Sequence, residues 1–123
     1  MAKILIVDDD PDVVEATQLF LQKDGHQVSA AFNREDGLKQ VKMVNPDLLI
    51  LDIMMEQPDD GIAMAQELRG AGFKAPIIMM TSISKVTGMG YGKDSDVIPA
   101  DDFLEKPVQP AVLQEKVKAL LKK

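Results

Sequence analysis

Apolar residues in this chain fall into short unbroken runs, each followed by a stretch where they recur every three or four positions. Ile4 to Val7, Leu48 to Leu51 and Ile77 to Met80 are runs of the length and apolarity of strands buried on both faces. Gln27 to Ala31 reads as a weaker strand, and Phe103 with Leu104 marks a fifth. Between them lie helix-period segments. Asp10-Pro11 supplies an N-cap and a first-turn proline for a helix whose apolar face is Val13, Val14, Thr17, Phe20 and Leu21, closing near Gly25. Asn33 caps a second helix with Leu38, Val41 and Val44 at helical spacing, ended by Asn45-Pro46. A third begins near Gly61, turns Ile62, Ala65 and Leu68 inward, and stops at Gly70 and Gly72. From Pro110 onward, Leu113, Val117, Leu120 and Leu121 define the clearest amphipathic helix.

Strands alternating with helices predict an α/β protein with a mainly parallel sheet. The stretch from Ser84 to Ala100 fits that alternation least. Gly88, Gly90 and Gly92 would each cost a helix roughly 1 kcal/mol, so a fourth helix there is expected to be short, displaced or mobile until a partner or a modification orders it. The run Gly88 to Lys93 is no phosphate loop, because Lys93 precedes Asp94 rather than Ser or Thr and no strand leads directly into it.

Composition narrows the function. At 123 residues the chain is expected to form one domain spanning 1–123. The absence of cysteine removes disulfides, thiolate metal sites and cysteine nucleophiles. A net charge of -6 works against direct nucleic-acid binding, and the lysines of the last helix read as a solvated face. The start is neither a signal peptide nor a membrane span, so a cytoplasmic location is the expectation, with no membrane partner.

In open parallel sheets, ligands bind beyond the carboxyl ends of the strands. There the chain places Asp8, Asp9 and Asp10 after the first strand, Asp52 after the third, Thr81 after the fourth and Lys106 after the fifth. Singly, each is ordinary turn or capping chemistry. Their coincidence at four strand ends is not. Two carboxylates about 4 Å apart repel by roughly 4 kcal/mol at an effective dielectric of ~20, so the cluster calls for a cation. Oxygen-only ligands that leave room for water suit Mg²⁺, with Asp52 as the nucleophile toward a phosphoryl group. The negative charge on that group would be met by the metal, by Lys106, and by Thr81 with backbone N–H groups.

Four motifs carry a resemblance across essentially the whole chain: Ile4 to Asp10, Leu51 to Met55 with Asp60-Gly61 downstream, Met80-Thr81-Ser82, and Asp101 to Pro107. In these the chain resembles the receiver domain of two-component response regulators. The resemblance implies a flavodoxin-like, doubly wound, parallel five-stranded sheet of order 2-1-3-4-5 with helices on both faces. It implies that Asp52 accepts a phosphoryl group from a histidine kinase or phosphotransfer protein. Mg²⁺ would be ligated by Asp9, Asp52 and the backbone carbonyl of Met54, with Asp8 acting through bound water. Thr81 and Lys106 would contact the phosphoryl oxygens, and Lys106-Pro107 would be a cis peptide. Phe103 matches the aromatic switch position, where the ring fills space left by the Thr81 hydroxyl. Phosphorylation would shift the face built by the fourth helix, fifth strand and last helix toward a downstream protein that the residues do not name, with a homodimer also open.

The chain departs from the family pattern in two places. Gly61 lies nine positions after Asp52, one more than is usual, with Glu56-Gln57-Pro58 in the intervening loop. Ile98-Pro99-Ala100 replaces the usual small-residue run before the fifth strand. Apolar Met54 and Ile83, each two residues beyond an active position, predict slow loss of the phosphoryl group. Two competing readings are a phosphorylation-independent binding module on the same fold, and a Mg²⁺-dependent phosphatase. The first has no use for Asp9, Asp52, Thr81 and Lys106 together; the second wants an acid where Met54 stands. A free-standing receiver and a piece of a longer regulator read alike at this level.

Overall fold

The computed structural model describes residues 2–53, 60–81, 100–105 and 109–121. In chain order these form β1 (Lys3–Val7), α1 (Pro11–Lys23), β2 (Gln27–Ala31), α2 (Arg34–Val44), β3 (Leu48–Asp52), α3 (Asp60–Gly70), β4 (Ile77–Thr81), β5 (Asp102–Glu105) and α4 (Pro110–Leu121). The five strands make one sheet of order β2-β1-β3-β4-β5, and every neighbouring pair is parallel. This is the doubly wound order that the family resemblance implies. The strands run slightly longer than their apolar cores: Asp52 and Thr81 are the last residues of β3 and β4 rather than the first beyond them.

Alternation along the three central strands builds two cores. Leu5, Val7, Leu49, Leu51, Ile77 and Met79 face one layer, with Val41 of α2 and Ile62, Met64, Ala65 and Leu68 of α3. Ile4, Ile6, Leu48, Ile50, Ile78 and Met80 face the other, with Val14 and Leu21 of α1 and Leu113, Val117 and Leu120 of α4. All twelve of these strand side chains are shut off from solvent. Continuous apolar runs are required here because neither face of a central strand meets water.

The helix boundaries follow from local chemistry. Asp10 accepts a hydrogen bond from the Asp12 N–H at 3.0 Å, and Asn33 accepts from the Asp36 N–H at 2.8 Å, so both predicted N-caps form. At the end of α1 the Gly25 N–H reaches the Gln22 carbonyl and the His26 N–H the Leu21 carbonyl, with Gly25 at φ 88°. The end of α3 repeats this paired closure: Gly72, at φ 96°, donates to Arg69, and Phe73 donates to Leu68. Thus Gly72 ends α3, while Gly70 is its last residue. Asn45 closes α2 at φ 50°, a left-handed position that asparagine tolerates.

Candidate functional site

Strand register decides which polar residues meet. Val7 and Leu51 are paired across β1 and β3, so Asp8 and Asp52 occupy equivalent positions one step further. Both continue the alternation of one face, Ile4-Ile6-Asp8 on one strand and Leu48-Ile50-Asp52 on the other. A period of two therefore carries two carboxylates onto the same side at the carboxyl ends of neighbouring central strands. Asp8 is fully buried and Asp52 is 4% exposed, whereas Asp9, next along the chain, faces solvent. One carboxylate oxygen from each of the three lies within 4.8 Å of the others.

Local hydrogen bonds hold this arrangement. The Asp8 N–H donates to the Ala31 carbonyl at 3.1 Å, extending the β1–β2 ladder past its last paired residue. Asp8 Oδ1 accepts from the Asp10 N–H at 3.0 Å, which ties the carboxylate to the turn that opens α1. The Ile53 N–H donates to the Met80 carbonyl at 3.1 Å and carries the β3–β4 ladder beyond Asp52. The Gly61 N–H, at the start of α3, returns to the Ile53 carbonyl at 2.9 Å. Ile53, the residue that follows Asp52, is thereby held through both its N–H and its carbonyl.

Two carboxylates buried this close repel by roughly 3 kcal/mol at an effective dielectric of ~20. A divalent cation among the three would reverse the sign. The donors are all hard oxygens, and the exposed side at Asp9 leaves access for water, so the set fits Mg²⁺ better than a metal that prefers nitrogen or sulfur.

On the other side of Asp52, register brings in β4. Asp52 pairs with Met80, and Thr81 follows; Thr81 in turn pairs with Glu105, the last residue of β5. Lys106 comes next in the sequence and lies outside the described residues, as do Met54, Ile83, the Lys106-Pro107 bond and all of the 84–100 segment except Ala100. Phe103 is half-buried and packs, with Phe73 and Ala100, against the α2–α3 layer, while Leu104 faces the α1–α4 layer.

At the opposite end of the sheet is a polar knot that sequence motifs did not reveal. Arg69 Nη1 donates to the Phe73 and Ala75 carbonyls, each at 2.8 Å, and Nη2 pairs with Asp101 Oδ2 at 3.0 Å. That carboxylate oxygen also accepts from the Ile77 N–H at 2.8 Å. On the other face, Lys116 of α4 pairs with Asp102 at 2.9 Å. Adjacent aspartates thus tie β5 to a helix in each layer.

Comparison with known proteins gives one consistent answer. The family model described as "Response regulator receiver domain" matches residues 4–118. The alkaline phosphatase synthesis transcriptional regulatory protein PhoP of Bacillus subtilis is 35% identical over 98% of this chain, and the response regulator MprA of Mycobacterium tuberculosis is likewise 35% identical over 98%. The chain spans about half the length of each, 49% and 51%. Among solved structures, the BeF3-activated N-terminal receiver domain of Klebsiella pneumoniae RstA superimposes with a TM-score of 0.85 at 30% identity, covering 98% of this chain and 99% of that one. TrrA of Thermotoga maritima, in complex with Mg(2+)-BeF, gives 0.81 at 36% identity with the same coverage. With sheet order, acidic centre and relatives in agreement, the chain belongs to the response regulator receiver domain family.

Proposed function

We propose that this chain is the phosphoacceptor switch of a two-component or phosphorelay system, one receiver domain over residues 1–123, with Asp52 as the acceptor. The observation that carries the reading is the convergence of Asp8, Asp9 and Asp52 at the ends of β1 and β3, with Asp52 at the end of the central strand. A carboxylate oxygen of Asp52 would attack phosphorus as the bond from phosphorus to the donor's histidine nitrogen breaks. The freed imidazole nitrogen takes a proton. Asp52, Asp9 and the Met54 carbonyl would hold Mg²⁺, with Asp8 acting through water. The bound ion would neutralise charge on the transferring phosphoryl group and on the carboxylates around it.

The protein's own groups supply positioning. Asp8 is fixed by the Asp10 N–H, and Asp52 by the bonds that Ile53, next along the chain, makes to Met80 and Gly61. Thr81 and Lys106 are assigned to the phosphoryl oxygens and Phe103 to the switch. The beryllofluoride in both TrrA and activated RstA supports such a site, since that group has the charge and shape of a phosphoryl group. The donor would be a histidine kinase or phosphotransfer protein in the cytoplasm. The output would be a conformational bias read by another protein, not turnover of a substrate. None of the described helices is long and apolar enough to cross a membrane.

Intact-mass spectrometry after incubation with acetyl phosphate and Mg²⁺ tests this reading. A phosphoryl adduct is expected in the wild type and not in Asp52→Ala or in metal-free buffer. Adduct formation that survives Asp52→Ala would remove Asp52 from the acceptor role. Folded wild type with no adduct would favour the phosphorylation-independent module.

A further inference from the structure

The start of α3 passes unusually close to the peptide of Asp52. Gly61 is buried, and a Cβ built on it would overlap the Asp52 carbonyl oxygen and stand 2.7 Å from both the Asp52 carbonyl carbon and the Ile53 Cα. All three are backbone atoms, so no side chain can turn aside. Gly61 is not among the residues with positive φ, so its need for glycine is one of space and not of backbone conformation. Its N–H meanwhile donates to the Ile53 carbonyl at 2.9 Å. That bond pinches together the two ends of the loop between β3 and α3.

We infer that Gly61 is a positioning residue for the acceptor aspartate. It is a backbone stop against which the Asp52–Ile53 peptide rests, and it isolates Asp52 from the length of the loop that follows. The inference rests on the phosphoacceptor reading and goes beyond it, because Gly61 touches neither metal nor phosphoryl group and acts only through Asp52. It also accounts for the extra residue between Asp52 and Gly61. Insertions beyond the pinch change the loop without moving the end of β3, whereas a single methyl group at Gly61 must displace the peptide that carries the nucleophile.

The test compares wild type, Gly61→Ala and Val117→Ala, the last a core variant in α4 that costs fold stability beside Lys116, which pairs with the start of β5 at the end of the sheet away from Asp52. Two quantities are read on folded protein: the rate of adduct formation from acetyl phosphate at saturating Mg²⁺, and the Mg²⁺ dissociation constant by calorimetry. Misplacing a reacting group by an ångström costs on the order of a hundredfold in rate, so Gly61→Ala is expected to lose at least about tenfold. Its Mg²⁺ binding should weaken as well, while Val117→Ala keeps both values even if its melting temperature falls further. Gly61→Ala with both values within about twofold of wild type would overturn the inference, as would an equal loss in Val117→Ala.

Should Gly61→Ala not fold, one glycine inserted between Gln57 and Pro58 decides the matter. The pinch predicts a rate within about threefold of wild type, and a larger fall in the folded insertion variant would overturn it. The wild type read in parallel reports on the acceptor chemistry itself. A wild type that binds Mg²⁺ but takes no phosphoryl group counts against the phosphoacceptor reading, and the effect of Gly61→Ala on Mg²⁺ affinity still judges Gly61.

Discussion

Glycine at four positions answers to different physical demands, so substitution does not carry the same sign at all of them. Gly61 has backbone where a Cβ would go. Gly37 is tight but softer: a Cβ there meets the Met64 methyl at 2.9 Å and the Val7 methyls at 3.0 and 3.1 Å, side-chain atoms that can yield. Gly70 has nothing within 4 Å of a built Cβ and carries no positive φ, while Gly72 has equal room at φ 96°. Gly70→Ala should therefore stabilise the protein by about 0.5–1 kcal/mol, through helix propensity and a less flexible unfolded chain. Gly72→Ala should destabilise it by about 1–2 kcal/mol, because the left-handed conformation is costly for a residue with a Cβ. Urea midpoints of the two variants check the pair. If both move the same way, backbone conformation is not what distinguishes them.

Elements were legible in the sequence where a single face or a single cap defined them. The N-caps Asp10 and Asn33, the turn at Gly25 and the buried runs of β1, β3 and β4 were readable because each rests on neighbours within a few residues. The acidic centre was readable because its members follow the carboxyl ends of strands that their apolar runs identify; that a period of two carried past Ile6 and Ile50 puts Asp8 and Asp52 on one face is seen only with the register in place. Met64, fully buried in α3, lies outside the helical spacing of Ile62, Ala65 and Leu68, and its burial depends on how closely α2 and α3 pack on the sheet. The close approach of Gly61 to Asp52 and the Arg69 knot were not legible either. Both join segments whose separation only the fold removes. Asp101 and Asp102 stood in the sequence as parts of a motif, with no sign that they face helices in opposite layers. Arg69 holds two carbonyls besides Asp101, and its side chain is 27% exposed against 40% for Asp101. Arg69→Met should then cost about 2 kcal/mol, mostly from the carbonyls left without their donor. The coupling between Arg69 and Asp101 in a double-mutant cycle should be only about 0.5–1 kcal/mol, because solvent screens a half-exposed pair. A coupling near the whole cost of Arg69→Met would shift the weight from the carbonyls to the charge.

For the whole molecule, the decisive feature is that one sheet serves two cores. Ile78 and Met79 are adjacent in β4, both fully buried, and face opposite layers. If either helix layer detached, the central strands would expose apolar side chains on that side while the other side stayed packed. The ladder hydrogen bonds of β1, β3 and β4 would then be open to water along strands that have no polar face to satisfy it. Partial unfolding of one layer is therefore costly, and the chain should unfold as one unit, with a total stability of about 5–15 kcal/mol. Ile78→Ala and Met79→Ala should each remove about 2–5 kcal/mol. Each should also lower the midpoint for methyl resonances in both layers together, although each empties only its own. The acidic centre belongs to the same unit, since Asp8 and Asp52 end two of the shared strands. Mg²⁺ at ten times its dissociation constant should raise the stability by about 1.4 kcal/mol if only the folded state binds it. That increment should appear equally in methyl reporters from the α2–α3 and α1–α4 layers. A shift confined to one layer would mean that the sheet does not transmit the state of its carboxyl end to both faces, and a switch that relies on the sheet would need another route.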